Sequence, residues 1–489
     1  MKQIVNLMLH LMEVIQRKYT IFAIIIINDI TKQMKNMKKL LVSLLLLGTV
    51  SVYAQNPVIR NIYSADPTAR VFNGKVYLYP SHDIFPPEGQ RQDWFCMEDY
   101  HVFSSENLID WTDHGMIVTQ NKVPWVRPDS YSMWAPDCVE RNGKYYFYFP
   151  SAPAAGRGGF AVGVAIADSP EGPFIPEPQP IAGINGIDPC VLQASDGNAY
   201  IFWGNGRCAK LKENMKELAD DNPKEVVKWG NREMEMVGAN CLQGLPNRQA
   251  EGPFAFEYNG NFYLTYPYVR ENTEVLAYAM SKKPMGPYEY KGLIMAEHPN
   301  GCWTNHHSII NYKGQWYLFY HRNDYSPNDD KRRSVRIDKL SFNPDGTIQE
   351  VKPTERGVGI SDATKQIQID RFSDKSNNVD IQYLDTTNYF KGWSADLQKG
   401  AWVRYNDVDF SKVSGNTASV MVKTSGKATL SLRLGSATAA PVATVQVKRS
   451  TPWTTVSSKI KKAALSSGVK DLFVTCEDGS ASVDWVQFK

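Results

Sequence analysis

Little of this sequence shows the three-to-four spacing of apolar residues that marks an amphipathic helix, which points away from helical folds. No stretch suggests a glycine-rich phosphate cradle or a coiled coil. Charge of one sign is missing too. With 54 basic residues against 51 acidic ones and a net charge of +3, nothing favours nucleic acid or an anionic membrane surface as a partner. The seven cysteines have no CxxC or other metal-ligand spacing, and their odd number leaves no closed disulfide set, so most read as small buried hydrophobes. Long apolar runs are absent: Ile21 to Ile27 is too short to span a bilayer. Met37-Lys38-Lys39, the apolar Leu40 to Val50 and the small-residue end Val52-Tyr53-Ala54 read as a secretory signal peptide cut before Gln55. Residues 1–54 are thus an over-extended start plus a signal peptide, with translation beginning at Met37 or Met34. The mature chain is expected to be exported across the inner membrane, to the periplasm or beyond, with no membrane span.

What is present is a repeat. Gly74-Lys-Val-Tyr77-Leu-Tyr79, Gly143-Lys-Tyr-Tyr146-Phe-Tyr148, Gly197-Asn-Ala-Tyr200-Ile-Phe202, Gly260-Asn-Phe-Tyr263-Leu-Thr-Tyr266 and Gly314-Gln-Trp-Tyr317-Leu-Phe-Tyr320 share one pattern. A glycine able to take positive φ in a hairpin turn opens each, and an alternating aromatic and aliphatic run follows, as in a half-buried strand. Periods of this size filled with strands predict an all-β, five-bladed β-propeller over residues 55–360. Aromatics make up 12% of the chain, which sugar-stacking surfaces and aromatic sheet cores explain about equally well. The polar segment Leu211 to Gly238 is the most helix-compatible part and reads as a decoration on a loop. Ile84 to Asp99 and Asn240 to Gln249 read as pocket-shaping loops.

Counting back from the hairpin glycines finds Asp66 at eight, Trp134 at nine and Asp137 at six, Asp188 at nine, Glu251 at nine and His306 at eight. Strands before the hairpins lie nearest a propeller's axis, so residues at matched offsets should converge on one ring. Hydrolysis of a glycosidic bond needs a proton for the leaving oxygen and an activated nucleophile, which paired carboxyl groups supply. Asp66 and Asp188 are each followed by Pro, and Glu251 by Gly-Pro, so each acid should be held on a stiff strand end. Clustering like charges raises at least one carboxyl pKa, as a general acid requires.

These motifs, in this order, resemble glycoside hydrolase family 43, of the α-L-arabinofuranosidase and β-xylosidase type. The resemblance implies an inverting exo-glycosidase that releases terminal arabinofuranosyl or xylosyl units from plant cell-wall polysaccharide. It makes Asp66 the general base, Glu251 the general acid and Asp188 the group that orients the acid and raises its pKa. It places Trp134, His306 and Arg333 at the substrate, with Arg332 as the alternative to Arg333. It also sets His306 beside an axial calcium, although an ordinary core histidine is an equal reading. No cofactor is required for the chemistry. An inverting outcome would need about 6.5–9.5 Å between the two working carboxyl groups. The rival readings are an exo-β-galactosidase of the same family and a non-catalytic glycan-binding propeller.

Beyond about residue 366 short alternating strands predict a β-sandwich, of the jelly-roll kind, to residue 489. Gly400-Ala-Trp-Val-Arg-Tyr405 and Val483-Asp-Trp-Val-Gln-Phe488 resemble a family 6 carbohydrate-binding module. By that resemblance Trp393 and Trp453 sandwich a sugar and Asp484 is a ligand of a structural calcium. Ser482 stands where the family has a sugar-binding Asn, and Gln368-Ile-Asp370 replaces its Glu-x-Glu. The alternative is a sandwich kept for stability.

Overall fold

The computed structural model describes residues 56–155, 159–229, 232–243, 250–298 and 302–489. The over-extended start and signal peptide read over residues 1–54 and most of the loop Asn240 to Gln249 lie outside them.

The five repeats are five blades. β1 (Ala65–Phe72), β2 (Lys75–Ser81), β3 (Asp99–Ser105) and β4 (Thr112–Thr119) form one antiparallel sheet in chain order. β5 (Asp137–Arg141), β6 (Lys144–Ser151), β7 (Ala161–Ala167) and β8 (Ile175–Pro176) form the second. The third holds β9 (Cys190–Gln193), β10 (Ala199–Trp203) and β11 (Arg207–Lys210). An inserted hairpin, β12 (Lys224–Trp229) with β13 (Arg232–Val237), precedes its last strand, β14 (Ala239–Asn240). In the fourth, β15 (Leu242–Gln243) pairs in parallel with the outer strand of β16 (Phe254–Tyr258), β17 (Asn261–Arg270), β18 (Thr273–Ser281) and β19 (Tyr288–Met295). β20 (His307–Tyr312), β21 (Gln315–Arg322) and β22 (Ser334–Leu340) make the three-stranded fifth.

The hairpin glycines Gly74, Gly143, Gly197, Gly260 and Gly314 have φ of 77, 76, 85, 66 and 83°. In four of the five turns the preceding residue, Asn73, Asn142, Asn259 or Lys313, is left-handed as well. Two consecutive positive φ values make the turn that matches strand twist. The aromatic that ends each copy, Tyr79, Tyr148, Phe202, Tyr266 or Tyr320, is fully buried. Much of the aromatic excess is therefore core. The helix-compatible segment Leu211 to Gly238 instead carries the β12–β13 hairpin. Its Glu233-Met-Glu-Met-Val237 alternation has period two, and cross-strand pairing satisfies a backbone that lone helix propensity could not hold. Cys208 and Cys241 form a disulfide, and the other five cysteines are buried and free.

The axis is closed by charge. Arg70 on β1 donates to both carboxylate oxygens of Asp137 on β5, reaches the Val191 carbonyl on β9 and lies over the Phe254 ring on β16. Asp137 also accepts the Cys138 and Val191 N–H groups. One ion pair thus ties four inner strands together.

The sandwich follows, built from β23 (Ser361–Asp362), β24 (Ile367–Gln368), β25 (Asp374–Lys375), β26 (Val379–Tyr383), β27 (Trp393–Gln398), β28 (Trp402–Asp409), β29 (Thr417–Thr424), β30 (Ala428–Leu434), β31 (Pro441–Val447), β32 (Ser450–Lys459) and β33 (Val469–Phe488). The 20-residue β33 pairs with β28 and β30 through its first half and with β27, β29 and β24 through its second. It therefore runs through both layers around a core that includes Val403, Val420, Leu430, Val474 and Val486. Propeller and sandwich belong to one compact unit. Arg371 donates to the carbonyls of Asn56 and Pro57, and Tyr325 packs on Phe390 and Trp393 at ring distances of 4.8 and 5.7 Å.

Candidate active site

Asp66 and Asp188 open the inner ends of blades one and three, and both sit at positive φ, 45 and 58°. A residue before proline disfavours the helical regions, so both acids are strained, at a cost of about 1–3 kcal/mol each. Blade four brings Glu251, whose N–H donates to the Pro267 carbonyl. The next residue, Gly252, has φ of 52° and gives its N–H to Asp188 Oδ2 at 3.0 Å. A Cβ there would lie 3.0 Å from the His306 ring. This glycine lets blades three, four and five meet.

Together Asp66, Asp188, Glu251, His306, Thr304, Arg333 and Trp134 line a cavity of about 140 Å³ walled by Trp94, Phe95 and Trp303. Drug-sized sites occupy roughly 300–1,000 Å³, so this one suits a single small ring rather than a chain in a groove. A larger cavity of about 440 Å³ lies between blade five and the sandwich, lined by Lys339, Glu350, Arg404 and Asp407 among others. It gathers neither aromatic walls nor clustered buried carboxyls, and the chemistry resides in the smaller one.

The acids in and behind the cavity are shifted in opposite directions. Burial alone would raise Asp66, but Arg333 above all, then His306 and His321, outweigh it and bring its carboxyl to about 2. Arg333 Nη1 donates to Asp66 Oδ1 at 2.8 Å, and its Nε and Nη2 grip Asp83 at 2.9 Å each. The Asp66 N–H donates to His321 Nδ1, which fixes that buried imidazole as a neutral acceptor. Asp188 is pushed well above the usual carboxylate range by burial, then by the charges of Glu251 and Asp66. Glu251 is raised by burial, with Asp66 adding to the rise. Glu274 on β18, buried and hydrogen-bonded to Glu251, is raised strongly as well, by burial and by Glu251; it accepts the Asn305 N–H at 2.8 Å. One lowered carboxyl, Asp66, and two raised ones, Asp188 and Glu251, therefore face one cavity, with Glu274 behind Glu251.

The predicted ring is largely assembled. Arg333, not Arg332, reaches Asp66; Arg332 pairs with Asp329 and lies over Phe85. Trp134 packs on Phe160 at 4.6 Å. Asp137 is the exception, because the Arg70 pair holds it at the axis and not on the cavity wall. Sequence reasoning missed Asp83, Glu274 and His321. Each had a signal: a charge or imidazole just past a strand copy for Asp83 and His321, and a carboxylate inside the apolar Thr273-Glu-Val-Leu-Ala-Tyr278 run for Glu274.

The sandwich expectations need correction. Trp393 and Trp453 do not face each other, because β33 and β29 separate their strands by about 14 Å at about 4.8 Å per step. Trp393 is taken up by Tyr325, Tyr383 and Arg371, and Trp453 lies under Lys423 at 5.0 Å. Calcium binds six to eight oxygens. Around His306 the carboxylate in reach, Asp66 at 3.8 Å, is already held by Arg333, and this donor set does not fit calcium. Asp370 and Asp484 each bury one carboxylate oxygen without a hydrogen bond, yet the guanidinium charges of Arg371 and Arg60 act on this pair where an ion's charge would. That pair does not fit calcium either.

Comparison with known proteins agrees with this geometry. Residues 54–348 match the model for glycosyl hydrolases family 43, and residues 371–489 match that for carbohydrate binding module (family 6). A xylosidase/arabinosidase 43A from Humicola insolens is 36% identical over 340 residues, covering 61% of this chain and 99% of that protein. A beta-xylosidase from Xylanibacter ruminicola is 36% identical over 320 residues, covering 59% and 97%. A family 43 beta-xylosidase/alpha-arabinofuranosidase from a compost microbial metagenome, solved with xylotriose in a calcium-free form, superposes with a TM-score of 0.53 at 34% identity, covering 61% and 97%. The chain is a glycoside hydrolase that belongs to family 43, with a family 6 carbohydrate-binding module behind its propeller.

Proposed function

We propose that this enzyme is an inverting exo-glycosidase that releases terminal β-D-xylosyl or α-L-arabinofuranosyl units from xylan or arabinoxylan of the plant cell wall. The observation that carries the reading is the contrast between two carboxyls on one small cavity: Asp66 is paired with Arg333 and lowered, while Glu251 is raised by burial. Two carboxyls driven apart in pKa define a base and an acid. Asp66 takes a proton from a water as its oxygen attacks the anomeric carbon, and Glu251 gives its proton to the leaving oxygen. Asp188 accepts the Gly252 N–H and so fixes the turn that carries Glu251. Arg333 orients Asp66, and Trp134, Trp94 and Trp303 offer faces for a sugar ring. Carboxyl groups perform the chemistry without a cofactor. The small cavity favours chain ends, and the relatives named xylosidase and arabinosidase favour pentoses. The reading includes export through the signal peptide ending at Ala54.

The test is hydrolysis of para-nitrophenyl β-D-xyloside, α-L-arabinofuranoside and β-D-galactoside, with Asp66→Asn and Glu251→Gln beside the native enzyme. Pentose release lost in both variants, with the product anomer inverted by NMR, is expected. Galactose release, or activity that survives both substitutions, overturns the reading.

A further inference from the structure

A second group of polar side chains gathers on blade one, away from the cavity. Ser81 at the end of β2 pairs with Tyr100 on β3, which sets His82 directly across from Asp99. Asp99 and His101 are two apart on one strand and share a face. The three side chains therefore meet, with potential donor atoms all within 4.8 Å of one another. His82 Nδ1 is 2.8 Å from Asp99 Oδ1, and His101 Nε2 is 3.9 Å from the same oxygen. Donor atoms bound tetrahedrally at about 2.0–2.2 Å stand about 3.3 Å apart, so these separations bracket what one ion needs. Side-chain exposures of 18, 10 and 18% for His82, Asp99 and His101 leave the group fixed but open to water.

The rear of the cluster is prepared as well. The other nitrogen of His101, Nδ1, lies 3.2 Å from Asp113 Oδ1. Asp113 is itself held by the Asn61 amide at 2.7 Å and the Gly115 N–H at 2.8 Å. A carboxylate that accepts from Nδ1 leaves the Nε2 lone pair directed at Asp99 and His82, the arrangement that fixes a metal-binding imidazole. Two imidazoles and one carboxylate suit zinc and its transition-metal neighbours, whereas calcium and magnesium call for oxygen alone. We propose that His82, Asp99 and His101 form a binding site for a divalent transition-metal ion, zinc foremost, with Asp113 orienting His101 and water completing the coordination. The ion clamps the end of β2 to β3. The next residue, Asp83, grips Arg333, so the clamp stiffens the segment from which the active-site arginine is held. It takes no part in the bond cleavage.

The test is calorimetric titration of zinc into the chelator-stripped enzyme, with cobalt as a spectroscopic probe. Expected are one zinc per chain, a melting temperature that climbs with added zinc, and cobalt d–d bands of a low-coordinate nitrogen-ligated ion. All three should vanish in His82→Gln/His101→Gln, while cooperative unfolding shows that this variant is folded. Asp113→Asn should weaken zinc about 10–100-fold with the stoichiometry kept. No uptake by the native enzyme, a cobalt spectrum equal to that of the aqueous ion, or uptake unchanged in the double variant overturns the proposal.

Discussion

Two clusters of buried acids flanked by arginine, one at the propeller axis and one in the sandwich, differ in what surrounds them. At the propeller axis Asp66, Asp188 and Glu251 surround an aromatic-walled space, with Glu274 behind Glu251 and Arg333 committed to Asp66. In the sandwich Asp370 and Asp484 lie near Arg60 and Arg371, and Asp484 is pushed up to about 7, by burial and then by Asp370. A raised carboxyl pKa is therefore no mark of catalysis by itself. What distinguishes the axial cluster is a lowered and a raised carboxyl facing the same void.

The comparison breaks most visibly at the axis. Glu251→Gln and Asp66→Asn should each lower kcat by about 10²–10⁴, the usual span for a lost general acid or base, in steady-state hydrolysis of an aryl pentoside. Losses below tenfold would place the chemistry elsewhere. Asp83→Asn should come next: removing one partner of the buried Arg333 fork costs about 3–5 kcal/mol of stability, read by chemical denaturation. The same change should also lower kcat/KM, because Arg333 loses its hold while Asp66 keeps its charge.

The pH profile sharpens the contrast. Asp66, lowered to about 2, must be ionised, so activity should persist far into acid until the fold fails. Glu251 must be protonated, so activity should fall as pH rises through its elevated pKa. In the sandwich the same physics reads out as stability. The folded state holds the Asp484 proton more tightly than the unfolded one, so stability is lost as pH rises from about 4 to about 7. Asp484→Asn should abolish that loss in melts recorded across this range while leaving turnover unchanged.

The smallest effects separate the two tryptophans. Trp393→Ala should cost about 3 kcal/mol, because its ring is packed between Tyr325 and Tyr383. Trp453→Ala should stay within about 0.5 kcal/mol, as expected of an outer-strand site, and any change should instead be in retention on immobilised xylan.

Much of this was legible in the sequence because propeller geometry is local. A hairpin glycine, an aromatic run and a fixed count back to the inner strand place Asp66, Asp188 and Glu251 without any long-range information. Asp137, counted back from its own hairpin glycine in the same way, faces Arg70, since a period gives depth along a strand and not the partner waiting there. Glu274 and Asp83 escaped because their importance comes from neighbours distant in the chain, Glu251 in the same blade and Arg333 in blade five. Trp393 was misread for the same reason. Its surroundings are set by the propeller surface, which no pattern within the sandwich encodes.

The Arg70–Asp137 pair has a consequence for how the enzyme works on a polymer. By stopping the axial channel behind the active site it turns that site into a blind alley. A freed sugar has to back out through the entrance by which the chain end arrived, and the polymer must withdraw first. Each encounter then removes one unit, and the accumulation of free pentose, rather than the length of the chain, becomes the natural brake on the reaction.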